Sequence, residues 1–157
     1  MKRLFTLLAI AALLFTASAC SEKKPPEPAA VKSKNVLTAL RDIRAAYEKK
    51  DLSSFMNNVA PEYQGREALS KSLEAVFLQN ETIRFNIQYT KMIIMVDEKG
   101  PIKTTFNWDG EWRAVGGTTQ KNSGRVTLLF DPGSFKVMSI NGKDPFVPLP
   151  SETPGKQ

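Results

Sequence analysis

The chain contains no histidine among its 157 residues. That removes the commonest general base, the commonest metal ligand and every Ser–His or Cys–His nucleophile. Cys20 is the only cysteine, so neither an intrachain disulfide nor a thiolate metal site can be built from the chain alone. Proton chemistry would fall to Asp, Glu, Tyr, Lys or Arg. The carboxylates form no pair at a spacing suited to a metal, and no metal or cofactor is expected. Asp51 opens a short apolar-periodic segment, which marks a helix cap more than a base. Asp97 and Glu98 flank a turn. Asp109-Gly110, between Trp108 and Trp112, reads as a turn former in an aromatic setting. Gly116-Gly117 lacks the following Lys-Ser/Thr and the helix that a phosphate loop needs.

The aromatic side chains are the stronger lead. Phe106, Trp108 and Trp112 lie close in sequence around an expected sheet distortion, and Tyr47 and Tyr89 fall on apolar faces. A distortion between the tryptophans would turn one of them toward a mouth or an exposed face. There it could bind a small apolar ligand or a partner protein. The competing reading makes both tryptophans plugs of the fold's open end, and both tyrosines core residues with hydrogen-bonded hydroxyls.

Three helices are expected to position these groups. Val36, Leu37, Leu40, Ile43 and Tyr47 recur at helical spacing from Asn35, with Ser33 or Asn35 as cap. A second, shorter helix over 52–59 follows the Asp51 cap and ends at Pro61. The third, over 67–79, carries Leu69, Leu73, Val76 and Phe77 on one face.

Past Asn80 the period becomes two. Ile83, Phe85, Ile87 and Tyr89 alternate with polar residues, and the phase slips near Lys91 to Met92, Ile94 and Val96. A one-residue bulge would keep both apolar sets inside. Ile102, Thr104, Phe106 and Trp108 form the second strand, broken at Asp109-Gly110. Polar residues 116–124 read as a loop. Val126, Leu128 and Phe130 form the third strand, and residues 135–140 the fourth. The plan is α+β: three N-terminal helices packed on a curved four-stranded antiparallel sheet, a cone-like roll. The cone leaves room for a pocket.

At the N-terminus, Lys2 and Arg3, an apolar run from Leu4 to Phe15, and Ala17-Ser18-Ala19 follow the three-part plan of a secretory signal. The apolar run falls short of the roughly 20 residues needed to cross a bilayer. Ala17-Ser18-Ala19-Cys20-Ser21 resembles the lipobox of bacterial lipoproteins. The resemblance implies cleavage before Cys20, lipidation of its thiol, and, from Ser21, outer-membrane sorting with the protein facing the periplasm. Residues 1–19 would then be the signal peptide and 20–34 a Pro-rich tether reaching roughly 40 Å at ~3.1 Å per residue. Residues 35–147 would be the folded domain and 148–157 a disordered tail. Removing Lys2 and Arg3 lowers the formal charge from +6 to +4. That is mild, the lysines are scattered, and no basic block interleaves with aromatics, so nucleic-acid binding is not expected.

The order of elements resembles the nuclear transport factor 2-like superfamily, the cystatin-like α+β roll. The residues that carry the resemblance are Tyr47-Glu48-Lys49-Lys50-Asp51-Leu52 with Phe55, then Tyr63 to Leu69, then the long strands closing with Phe135 to Gly142. It covers about residues 35–146. The fold hosts dehydratases, isomerases and cyclases as well as modules without chemistry, and its open sheet face often pairs, which implies a homodimer as one outcome. Members that transfer protons place a Tyr on the first helix, at a position matching Ile43, and carboxylates at inward strand positions. Here the inward positions read Ile, Phe, Tyr, Met and Leu. The expectation is therefore a lipid-anchored envelope protein that is not an enzyme and binds an envelope protein or a small apolar ligand. The alternative is a dehydratase- or isomerase-type enzyme using Tyr and Asp in the cone.

Overall fold

The computed structural model describes residues 28–97 and 100–147. The expected leader, the expected lipidation site Cys20, the first part of the expected tether and the tail over 148–157 lie outside those residues. Among the described residues no helix is long and apolar enough to cross a membrane.

Helix α1 spans Pro28–Glu48, α2 Leu52–Asn57 and α3 Arg66–Gln79. The first begins seven residues before the expected start, so residues 28–34 are helical and not extended tether, and Ser33 and Asn35 cap nothing. Pro28 is tolerated because the first helical residue needs no amide hydrogen, and Ala29, Ala30 and Lys32 propagate the turn. No residue of that extension is buried, and Val36 is the first that is. Asp51 caps α2 as expected, its carboxylate accepting from the Ser54 amide at 2.9 Å. The α3 stripe of Leu69, Leu73, Val76 and Phe77 is buried as its spacing requires.

The strands are β1 (Asn80–Ile87), β2 (Ile93–Met95), β3 (Ile102–Ala114), β4 (Thr119–Phe130) and β5 (Val137–Gly142). All pairings are antiparallel, in the order β1-β3-β4-β5, with β2 also on β3. The sheet therefore has five strands where four were expected. The phase slip near Lys91 is a full turn of 3₁₀ helix, Tyr89–Lys91, in place of a one-residue bulge. It divides one expected strand into β1, beside Trp108 to Ala114, and β2, beside Lys103 to Thr105. Ile94 still turns inward while Ile93 and Met95 are exposed.

Asp109-Gly110 does not break β3. The strand runs through it, with Ile102, Thr104, Phe106, Trp108, Gly110 and Trp112 all on the buried face. Both tryptophans are thus buried equally, each 1% exposed, which corrects the expectation that one would face outward. Gly110 belongs in the strand because a Cβ there would overlap the Trp112 ring, standing 2.8 Å from Cζ3. The expected polar loop is shorter than foreseen. Gly116 and Gly117, at φ +106° and +94°, make the β3–β4 turn, and β4 starts at Thr119. Helices cover the face that carries these rings, and the core lies between the two layers.

Candidate functional site

Tyr47 is the centre of the roll. Its ring is fully buried and meets Phe77, Phe85 and Phe146 at centroid distances of 5.7, 5.7 and 5.3 Å. Its hydroxyl accepts from Trp112 Nε1 at 2.8 Å and donates to the Phe146 carbonyl at 2.8 Å. Burial pushes the hydroxyl far above the ordinary phenol range, the Trp112 N–H opposes that, and nearby Asp144 adds to it. Tyr47 is therefore no free base. It joins three parts of the chain by one oxygen.

Phe106, Trp108 and Trp112 also fill the interior, none more than 1% exposed. The Trp108 and Trp112 rings meet edge to face, with centroids 6.4 Å apart. Tyr89, at the 3₁₀ turn, is 38% exposed and stands apart from this cluster. The fold thus brings four of the five aromatic candidates together and leaves the fifth outside.

The space that might have been a pocket holds the segment after β5. Phe146 is 2% exposed, and its ring stands 4.9 Å from Phe55 and 5.6 Å from Phe85. Asp144 folds the segment back on itself by accepting from the Phe146 amide at 2.8 Å, a two-residue Asx turn around Pro145. Burial raises the Asp144 carboxyl above the usual carboxylate range, and the Phe146 and Val147 amides offset part of that. Burial raises the half-buried Tyr63 hydroxyl as well, and the Asp144 charge adds to it. Sequence reasoning missed this segment. The available signal was a lone large aromatic in a polar, proline-containing stretch. Burying one Phe ring is worth about 1.5–3 kcal/mol and a hydrogen bond about 1 kcal/mol. Its attachment is thus small beside a whole-domain stability of roughly 5–15 kcal/mol.

A second site lies where α1 meets the edge of β1. This cleft has a volume of about 550 Å³ and takes Arg44, Glu48, Arg84, Asp109, Glu111 and Lys121 among its lining. Glu48 Oε1 accepts from the Phe85 amide at 2.8 Å, supplying an acceptor to an edge strand that has no neighbour on that side. Arg44 pairs with Glu48, its Nη2 donating to Oε1 at 3.4 Å and its Nε standing 3.3 Å from Oε2. Asp109 accepts from Asn86 at 3.0 Å, so it is a strand residue of the cleft and not a turn former. Glu111 pairs with Lys121 at 3.3 Å. Arg84, opposite Glu111 in the ladder, is exposed and has no ionic partner among the described residues. Every acid of the cleft is engaged while one guanidinium is free. Such a fork binds a carboxylate or phosphate well.

No protein-family profile matches the chain, and no curated protein does. Solved structures do. A nuclear transport factor 2-like superfamily protein from Salmonella enterica serovar Typhimurium superposes with a TM-score of 0.63 at 12% identity, over 82% of this chain and 98% of that one. PrhC from Penicillium brasilianum gives 0.59 at 15% identity, over 69% and 79%. Aln2 from a Streptomyces species gives 0.54 at 15%, over 75% and 91%. The chain therefore has the nuclear transport factor 2-like fold, α+β with three helices packed on an antiparallel sheet. PrhC and Aln2 are characterised enzymes, and that overturns the expectation that this chain is not one. At such identities the likeness fixes the fold and assigns no reaction.

Proposed function

We propose that this chain is a lipid-anchored protein of the bacterial envelope whose roll binds a small ligand bearing a carboxylate or phosphate. The observation that carries the binding half is Arg84, the free guanidinium in a cleft whose carboxylates are already engaged. The anchoring half rests on Cys20 following Ala17-Ser18-Ala19 at the end of an apolar run. Two or three acyl chains at about 0.8 kcal/mol per buried CH₂ hold such a protein durably at a membrane. Confinement there raises its effective concentration for neighbours.

Mass spectrometry of Cys20 tests the anchor: an unmodified thiol defeats it. A thermal-shift panel of amino acids, hydroxy acids and inorganic phosphate tests the cleft. Stabilisation by one of these, lost in Arg84→Ala, is the expected result. No shift from any of them defeats the anion assignment.

A second reading is favoured by one observation, the partly buried Asp144 carboxyl beside Tyr47 and Tyr63. Under it the chain is a dehydratase- or isomerase-type enzyme using Tyr and Asp. Turnover that vanishes in Asp144→Asn while the fold is kept would establish it.

A further inference from the structure

Beyond Gly142, where β5 ends, Lys143 to Val147 pair with no strand. Lys143 is tied to the body: its amide donates to the Arg125 carbonyl at 3.3 Å and its carbonyl accepts from Trp108 Nε1 at 3.3 Å. Its ammonium bonds Asn122 and the Ser123 carbonyl. Past Lys143, among the described residues, the hydrogen bond from Tyr47 to the Phe146 carbonyl is the only one to the body. The Asp144 bond to the Phe146 amide is internal to the segment and moves with it. Phe146 nevertheless packs inside the aromatic cluster, against Tyr47, Phe55 and Phe85. A buried ring of the core is thus carried by a strap that, past Lys143, makes one hydrogen bond to the body.

The strap has the form of a bound molecule. An aromatic ring fills an aromatic-walled space, and a carbonyl attached close to it accepts from a phenol oriented by the Trp112 N–H. We propose that Asp144 to Val147, hinged at the anchored Lys143, is a displaceable occupant of a binding site inside the cone. The ligand that displaces it carries an aromatic ring and a nearby carbonyl, matching Phe146 group for group. Free of the strap, the Tyr47 hydroxyl is a buried donor without an acceptor, which selects for the carbonyl. The walls, being rings, select for the aromatic group. The site is separate from the Arg84 cleft, so it stands whether or not that cleft binds anions.

Native-state hydrogen exchange on the intact chain, read at the Phe146 amide, tests this, with N-acetylphenylalanine amide as probe. The expected result is exchange about 100-fold faster at Phe146 than at Phe106 in the core of β3, by an opening confined to the strap. The probe should hasten Phe146 exchange further while protecting the Tyr47 ring from solvent. Phe146→Ala, which leaves the site empty, should bind the same probe at least about tenfold more tightly than the wild type, since no occupant competes. Exchange at Phe146 and Phe106 at one common rate would show that the ring leaves only on global unfolding, and would overturn the proposal. Binding by Phe146→Ala with none to the wild type would also overturn it, marking an engineered cavity.

Discussion

The Tyr47 hydroxyl donates to the Phe146 carbonyl at 2.8 Å across a sequence separation of 99 residues. The same oxygen accepts from Trp112 Nε1 at 2.8 Å. The end of α1, the long strand β3 and the segment after β5 are therefore tied at one buried atom. No competing partner is available inside the aromatic cluster.

Tyr47→Phe keeps the ring and removes the oxygen. Two buried groups lose their partners, the Trp112 N–H and the Phe146 carbonyl, at about 1–3 kcal/mol for each unsatisfied group. The variant should fold and unfold at lower urea, with a total loss of roughly 2–4 kcal/mol and an unchanged m-value. A loss under about 0.5 kcal/mol would mean that the hydroxyl is not the tie described.

Gly110→Ala should be more harmful than a strand glycine ordinarily is. Adding a methyl to a strand usually helps, because glycine costs backbone entropy. Here the added Cβ would overlap the Trp112 ring, which must shift and loosen its hydrogen bond to Tyr47. Overpacking of this kind costs about 1–3 kcal/mol. Calorimetry should show the loss, and tryptophan fluorescence should change with it. A variant as stable as the parent would show that the ring has space to move.

What could be read beforehand was what depends on short-range pattern. The α3 stripe, the Asp51 cap and the alternation along β1 all follow from spacing and side-chain type within a few residues. Asp109-Gly110 misled because it carries a local turn signal whose glycine answers to Trp112 and whose carboxylate answers to Asn86 across the ladder. Tertiary packing overrode local chemistry there. Pro28 misled for the opposite reason, since a proline-rich stretch favours extended backbone except at a helix's first turn. The Phe146 insertion and the Arg84 cleft were illegible because both depend on which distant elements meet.

Glu48 separates two roles that a carboxylate can play. Its Oε1 accepts from the Phe85 amide on an otherwise open strand edge, and both its oxygens face the Arg44 guanidinium. Glu48→Gln keeps an acceptor for the amide, so it should lose less than about 1 kcal/mol, since a half-exposed ion pair is worth little. Glu48→Ala leaves the β1 edge bare. It should lose about 1–2 kcal/mol and aggregate more readily, because an unpaired edge templates strand addition. Chemical denaturation and light scattering on the two variants check this. Equal losses would assign the effect to the ion pair.

Asp144 gives a pH dependence with a definite sign. Burial raises its carboxyl above the usual carboxylate range in the fold, with Tyr47 and Tyr63 as the titratable groups facing it. A carboxyl held higher in the folded state favours folding while it is protonated. That contribution is fully present below its unfolded value and is lost as pH rises through the raised one. At neutral pH the protein therefore carries a partly buried charge at a cost. Asp144→Asn removes the charge and keeps an oxygen that can accept from the Phe146 amide. The variant should melt above the wild type at pH 7, and the gap should close as the pH falls below about 3.9, where the wild-type carboxyl is neutral in both states. Asp51 and Asp131, both held low by hydrogen bonds from neighbouring residues, act in the other direction in both proteins and cancel in the difference. Melting curves of the two proteins across that range decide it, and a wild type that stays above the variant at pH 7 would show that the Asp144 charge is stabilised where it sits.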